Sequence, residues 1–311
     1  MILKYRFMKK ILLLVLICLP TVVFSNTESV KYDSLRNYVG DHPEQYTGQT
    51  VVVKGLLESD QAAGYSGFIF DYKKDRELNE DSNIYYPNGS YASHYEALVG
   101  HRFDVVDVIS HPLADGSGND YDKIAYLKLR DRQDGTVLFY KYYNGSELNF
   151  PFLVMGYYEK LKGLLKDQRY VFAEGVLSGQ ADIESNEPIE QVRGEEWLCT
   201  DVVLDDDSQI MAILSRKNGQ QVSLSSDVLK MNDGRRKRVY TAKEYKDYEF
   251  KYGKMLFGTI LRNSVGNGMD KDMCELSWGK PLEVIEKDGG IEEWVYPAVT
   301  VRFKRGIIVD M

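Results

Sequence analysis

Dipeptides that tolerate a left-handed backbone punctuate this chain, among them Asn88-Gly89, Asp115-Gly116, Asp134-Gly135, Asn144-Gly145, Asn218-Gly219, Asp233-Gly234 and Asp288-Gly289. Such pairs suit the tight turns of antiparallel hairpins. Alternating runs flank two of them, 126–129 and 137–140 around Asp134-Gly135, and 211–214 and 221–224 around Asn218-Gly219. Period-two alternation places apolar side chains on one face of a strand, so strands are expected to dominate from about residue 48 to 230. The 23 tyrosines fit the same reading, because aromatic rings pack well on half-buried sheet surfaces.

A repeat runs through this region. Gly48, Gly100 and Gly194 are each followed at the third and fifth positions by residues that share one strand face: Val51 and Val53, Phe103 and Val105, Trp197 and Cys199. At the eighth position come Leu56, Val108 and Val202, after Gly55, Asp107 or Asp201 at the seventh. The change of phase predicts a bulge or bend near the seventh position. A degenerate copy at 169–177 resembles the first unit around Lys54-Gly55. Spacings of 52 and 94 residues are too irregular for a solenoid. The expectation is a mainly β protein of tandem small SH3-like β-barrel modules at 26–91, 92–156 and 157–239. One long sandwich is the alternative.

The N-terminus reads as a secretory signal over 1–25. A basic stretch ending at Lys9-Lys10 leads into an apolar run over 11–24, and Val23 and Ser25 suit cleavage before Asn26. The run is short for a membrane span, and no later segment approaches that length. Ile17 before Cys18 disfavours lipidation there. The chain carries 39 Lys and Arg against 47 Asp and Glu, and removing the four cations of 1–25 moves the net charge from −8 to −12. That balance opposes general nucleic-acid binding. Export to the periplasm or the outer membrane, or to the cell surface, is therefore expected. Cys199 and Cys274 read as buried thiols.

From about 240 the pattern becomes helical, with Tyr245, Tyr248, Tyr252, Leu256 and Ile260 near the 3.6-residue period of one helix over 242–261. Next come Gly268, Met269 and Asp270, then Trp278, Gly279 and Pro281. Asp270 is placed to cap a second helix, Met269 and Cys274 to staple it, and Gly279 and Pro281 to end it. Strand-like pieces follow at 282–286, 292–296 and 299–303, with Trp294 and Tyr296 in the second. This ordered set over 240–311 resembles the BamE (SmpA/OmlA) family, the small outer-membrane lipoproteins of the β-barrel assembly machinery. The longer signature, with 277–281 and 293–296, is also similar to exported proteins of Bacteroidetes-type bacteria. The resemblance implies an α+β domain of two helices and three strands in the cell envelope.

Chemistry is sparse. The four histidines, His42, His94, His101 and His111, show no metal-ligand spacing, and no nucleophile elbow, phosphate loop or zinc-protease motif occurs. The 115–122 loop alternates oxygen side chains as calcium loops do, but Asp120 and Tyr126 occupy the places of the required Gly and Glu, so a solvated turn is expected. Asp205-Asp206-Asp207 likewise reads as a charged turn. No cofactor and no metal is expected. Candidate interaction residues are Arg235, Arg236, Lys237 and Arg238, a dense basic run that suits lipid headgroups or merely a linker. Tyr142 and Tyr143 are the other candidates, since neighbours on a strand face opposite ways and one would be free to stack on a glycan or a protein. The expected role is a non-enzymatic envelope binding or scaffold protein. The alternatives are a glycan or peptidoglycan binder and, behind it, a hydrolase with a cleft between modules.

Overall fold

The computed structural model describes residues 31–77, 81–230, 232–233 and 236–311. The expected signal segment, with Cys18, and Arg235 lie outside the described residues. After a 3₁₀ turn at Pro43–Tyr46, the first unit runs through β1 (Thr50–Val53), α1 (Glu58–Gln61), β2 (Phe68–Ile69), α2 (Tyr95–Leu98), β3 (Arg102–Ser110), β4 (Ile124–Asp131), β5 (Val137–Tyr143) and β6 (Phe152–Val154). All pair antiparallel in the order β2-β5-β4-β3-β1-β6. Asp134-Gly135 turns β4 into β5, and alternation on β5 sends Leu138, Tyr140 and Tyr142 inward. There they meet Phe68, Phe103 and Phe152, whose rings lie edge-on or tilted at 4.8–6.5 Å. Because β1 pairs with β3 and one core spans Tyr32 to Val154, the boundary expected near 92 falls inside a single sheet.

The second unit contains α3 (Met155–Leu165), β7 (Arg169–Phe172), β8 (Trp197–Leu204), β9 (Ile210–Ser215), β10 (Gln221–Ser225), a small ribbon of β11 (Asn232–Asp233) with β12 (Arg236–Lys237), and β13 (Val239–Thr241). Its sheet runs β10-β9-β8-β7-β13. Setting aside β2, both sheets place the last strand beside the first and then the second, third and fourth in sequence. Each has a 3₁₀ turn before its last strand, at Glu147–Asn149 and Val228–Lys230. Each has a register shift in its second strand, between Val105 and Asp107 and between Cys199 and Asp201. The bulge thus sits where the phase change placed it. The sequence copy at Gly48, however, leads into a first strand, equivalent to β7 and not to β3 or β8, so the units number two.

The expected barrels are a correction, for the sheets are open. Edge strands β10 and β13 both touch the turn at Val228–Lys230, which stands between them in place of hydrogen-bonded closure. In the first sheet β2 has only two residues, too few to close against β6.

The expected 242–261 helix is two helices, α4 (Ala242–Tyr252) and α5 (Lys254–Leu261). They break at Gly253, whose φ of 77° no helix accepts. Then come α6 (Lys271–Trp278) and a meander of β14 (Glu283–Lys287), β15 (Ile291–Val295), β16 (Thr300–Lys304) and β17 (Ile307–Asp310). The C-terminal unit therefore has three helices and four strands where two and three were expected. Asp270 does accept from the Met273 amide at 2.8 Å, and Met269 and Cys274 are fully buried. Among the described residues no helix is long and apolar enough to cross a membrane.

Candidate functional site

Helix α3 follows β6 without a loop and belongs to both β units. Leu161 and Leu165 enter the second core, the Tyr158 hydroxyl donates to the Val202 carbonyl at 2.8 Å, and Lys162 pairs with Asp201 at 2.9 Å. On the other side Gly156 lies against Tyr32 and Gln49, where a Cβ would come within 2.4 Å of each. Tyr157 packs on both cores. A second junction forms where the Gly55 amide donates to the Asp207 carbonyl at 2.8 Å. The acidic turn at 205–207 is thus a docking contact.

Between these two junctions lies an open cleft of about 720 Å³. Its walls are the segment 35–42 and Lys54 of the first unit, Tyr157 of α3, and the turns at 208–210 and 225–227 of the second. Lys54 also borders an adjoining cavity of about 270 Å³. Its backbone is held on both sides, the amide donating to the Pro151 carbonyl at 2.7 Å and the carbonyl accepting from the Tyr65 hydroxyl at 2.6 Å. Its ammonium has no carboxylate within ion-pair distance among the described residues. Burial holds its pKa below the usual lysine value, against the opposing pull of Glu147 and Asp227, which also line the cleft. A lysine desolvated this way gains more from an anionic ligand than a surface lysine does. Arg36 adds positive charge to the same wall, and Asp41 adds negative charge. The lining suits a polar ligand bearing charges of both signs.

The expected interaction residues lie elsewhere. Tyr142 is 1% exposed and its hydroxyl donates to the Gly40 carbonyl at 2.7 Å, so it is a core residue and not a stacking platform. Tyr143 is the outward partner, with its carbonyl accepting from Tyr38 at 2.7 Å. Arg236, Lys237 and Arg238 do not form a free linker. Lys237 pairs with Glu244 at 2.6 Å, Arg238 donates to the Glu174 carbonyl at 2.8 Å, and Arg236 packs beside Gly279.

The C-terminal motif converges on its own core. The Tyr296 hydroxyl donates to the Gly279 carbonyl at 2.9 Å, and its ring meets Trp278 edge-on at 5.3 Å. Trp278 donates to the Asn263 carbonyl at 2.7 Å, and Trp294 packs on Phe303. Gly268 has a φ of 89°, and Pro281 stands between α6 and β14. Cys199 and Cys274 are free thiols in separate cores.

The 115–122 loop is satisfied internally. Asp122 accepts from the amides of residues 115, 116, 118 and 119, which occupies the oxygens a cation would need. Lys54 was the residue that sequence reasoning passed over. Its only signal was a charge directly after the apolar run of β1 and before a glycine. No protein-family model matches the chain, and neither the curated proteins nor the solved structures give a match.

Proposed function

We propose that this is a non-enzymatic binding protein of the cell envelope, in which the two β units hold a segment of a partner protein in the cleft between them. The observation that carries the reading is Lys54, a largely buried and unpaired cation in the wall of a polar cleft of about 720 Å³. A peptide supplies what such a lining lacks: carboxylates for Lys54, amines or backbone amides for Glu147, and an extended shape for an open slot. The resemblance of the C-terminal sequence to the outer-membrane assembly lipoproteins supports the envelope setting. A glycan ligand is the second reading, supported by Tyr38 and Tyr157 in the cleft wall.

The test is site-specific photo-crosslinking in intact cells of the native host, with the probe at Asn37 or Gln209 in the cleft and at Glu286 on β14 as the control. One protein captured from both cleft positions, absent from the control and lost in Lys54→Ala, is the expected result. Capture that does not depend on Lys54, or none at all, sinks the reading. Retention by cell-wall sacculi that Lys54→Ala abolishes would replace the protein partner with a glycan.

A further inference from the structure

A second cationic feature stands apart from the cleft, where the second sheet meets the C-terminal helices. Arg193 and Arg262 place guanidinium nitrogens 3.6 and 4.0 Å from the point where a Cβ on Gly258 would sit, so both lie over the same turn of α5. Three residues on, the Leu261 carbonyl accepts from the Glu174 amide at 2.7 Å. The Glu174 carbonyl in turn accepts from Arg238 at 2.8 Å and from Asn263 at 2.9 Å. A cavity of about 260 Å³ joins Arg193, Glu174 and Leu261. Arg236 stands two residues before Arg238, and the Nε atoms of both are buried with no hydrogen-bond partner.

Arg193, Arg238 and Arg262 have no carboxylate within ion-pair distance among the described side chains, whereas Arg132, Arg169, Arg216 and Arg302 all do. The nearby acids do not close the gap. Glu174 is engaged here through its main chain, Glu244 is taken by Lys237, and Glu249 lies beside the Tyr245 hydroxyl at 3.5 Å. The C-terminal end of α5 offers about half a negative charge, far less than three guanidinium groups carry. Burial and the neighbouring charge of Arg236 both lower the pKa of Arg238.

We infer that Arg193, Arg238 and Arg262 form a binding site for a phosphate-bearing anion. Guanidinium groups match phosphate oxygens in a fork of paired donors, and a multiply charged anion satisfies several of them at once. The phosphate has two candidate sources, a lipid headgroup or a soluble phosphate.

The test uses the full chain and two probes: inorganic phosphate by calorimetry, and vesicles of phosphatidylglycerol in phosphatidylcholine by co-sedimentation. The exposed pair Arg193→Gln with Arg262→Gln is the main variant, with Arg238→Gln as the second. Arg302→Gln, whose parent pairs with Glu293 and Asp310 on the distant meander, is the charge control. Losing two charge-assisted contacts lowers affinity about tenfold or more, while the control stays within about twofold. Circular dichroism establishes that each variant is folded. Vesicle binding displaced by inorganic phosphate assigns the site to the phosphate group itself, and binding that resists displacement assigns it to the lipid headgroup. Failure to bind either probe overturns the inference, as does equal weakening by the control. Binding lost in Lys54→Ala but kept in the arginine variants assigns the probes to the cleft and overturns the inference.

Discussion

Gly55 offers a direct test of how the two β units are joined. A Cβ at this position would meet Asp207 at 2.2 Å from Oδ1, 2.6 Å from Cγ and 2.7 Å from Cβ. Rotating the Asp207 side chain relieves the first two contacts but not the third. The Gly55 backbone is outside the left-handed region, so alanine itself is tolerated there. Gly55→Ala should therefore gain about 0.4–1 kcal/mol from a less flexible unfolded chain. It should lose about 1–3 kcal/mol to overpacking. A net destabilisation of up to about 2.6 kcal/mol follows, about 1.3 at the middle of both ranges. In an Asp207→Gly background all three clashing atoms are gone, and the same substitution should become neutral or stabilising. Urea unfolding followed by fluorescence reads this directly, since Trp197 is buried in the second unit while Trp278 and Trp294 report on the C-terminal one. The double-mutant cycle should give a coupling of about 1–3 kcal/mol. An unchanged sign in the Asp207→Gly background would show that the 205–207 turn does not press on the first unit.

Two further outcomes are expected. Asp131 is 1% exposed and accepts from the Tyr85 hydroxyl at 2.9 Å and the Gln133 amide at 2.7 Å, with His101 Nδ1 at 3.2 Å. Asp131→Ala should cost about 3 kcal/mol by stranding buried donors, and Asp131→Asn only about 1–2, as read by denaturant midpoints; equal costs would refute the network. Burial raises both thiols, Cys199 and Cys274, to about 11 from 9.0. At pH 8 neither should react with a thiol reagent until the chain unfolds. Because the folded pKa lies above the unfolded one, their stabilisation is complete below pH 9 and is lost as the pH rises from 9 to 11. The slope is about 1.4 kcal/mol per pH unit for each thiol, so Cys199→Ala should flatten the alkaline limb of the stability curve.

What could be read from the sequence was local. The bulges at Asp107 and Asp201 were legible because a bulge is a change of phase within nine residues of one strand. The cap at Asp270 and the stop at Gly279 were legible for the same reason. The division into units was not, because it depends on pairings such as Val51 with Phe103 across 52 residues. The alternation that marks Tyr142 and Tyr143 as facing opposite ways does not say which faces water. That depends on Gly40, a hundred residues earlier, supplying the carbonyl for Tyr142. Lys54 escaped notice because its environment is assembled from the N-terminal segment, α3 and two turns of the second sheet.

The continuity of β6 into α3 bears on how the cleft works. With no loop between Val154 and Met155, the last strand of one wall and the helix seated on the other move as one piece. Gly156 presses that piece against Tyr32, and Asp207 braces the far end against Gly55. A slot held at both ends has a set width before anything enters it. If it holds a partner segment as proposed, it selects by fit and not by closing, and that segment gains affinity because the protein spends little ordering itself. Under that proposal, capture without a slow rearrangement phase is the expected kinetic counterpart of that rigidity.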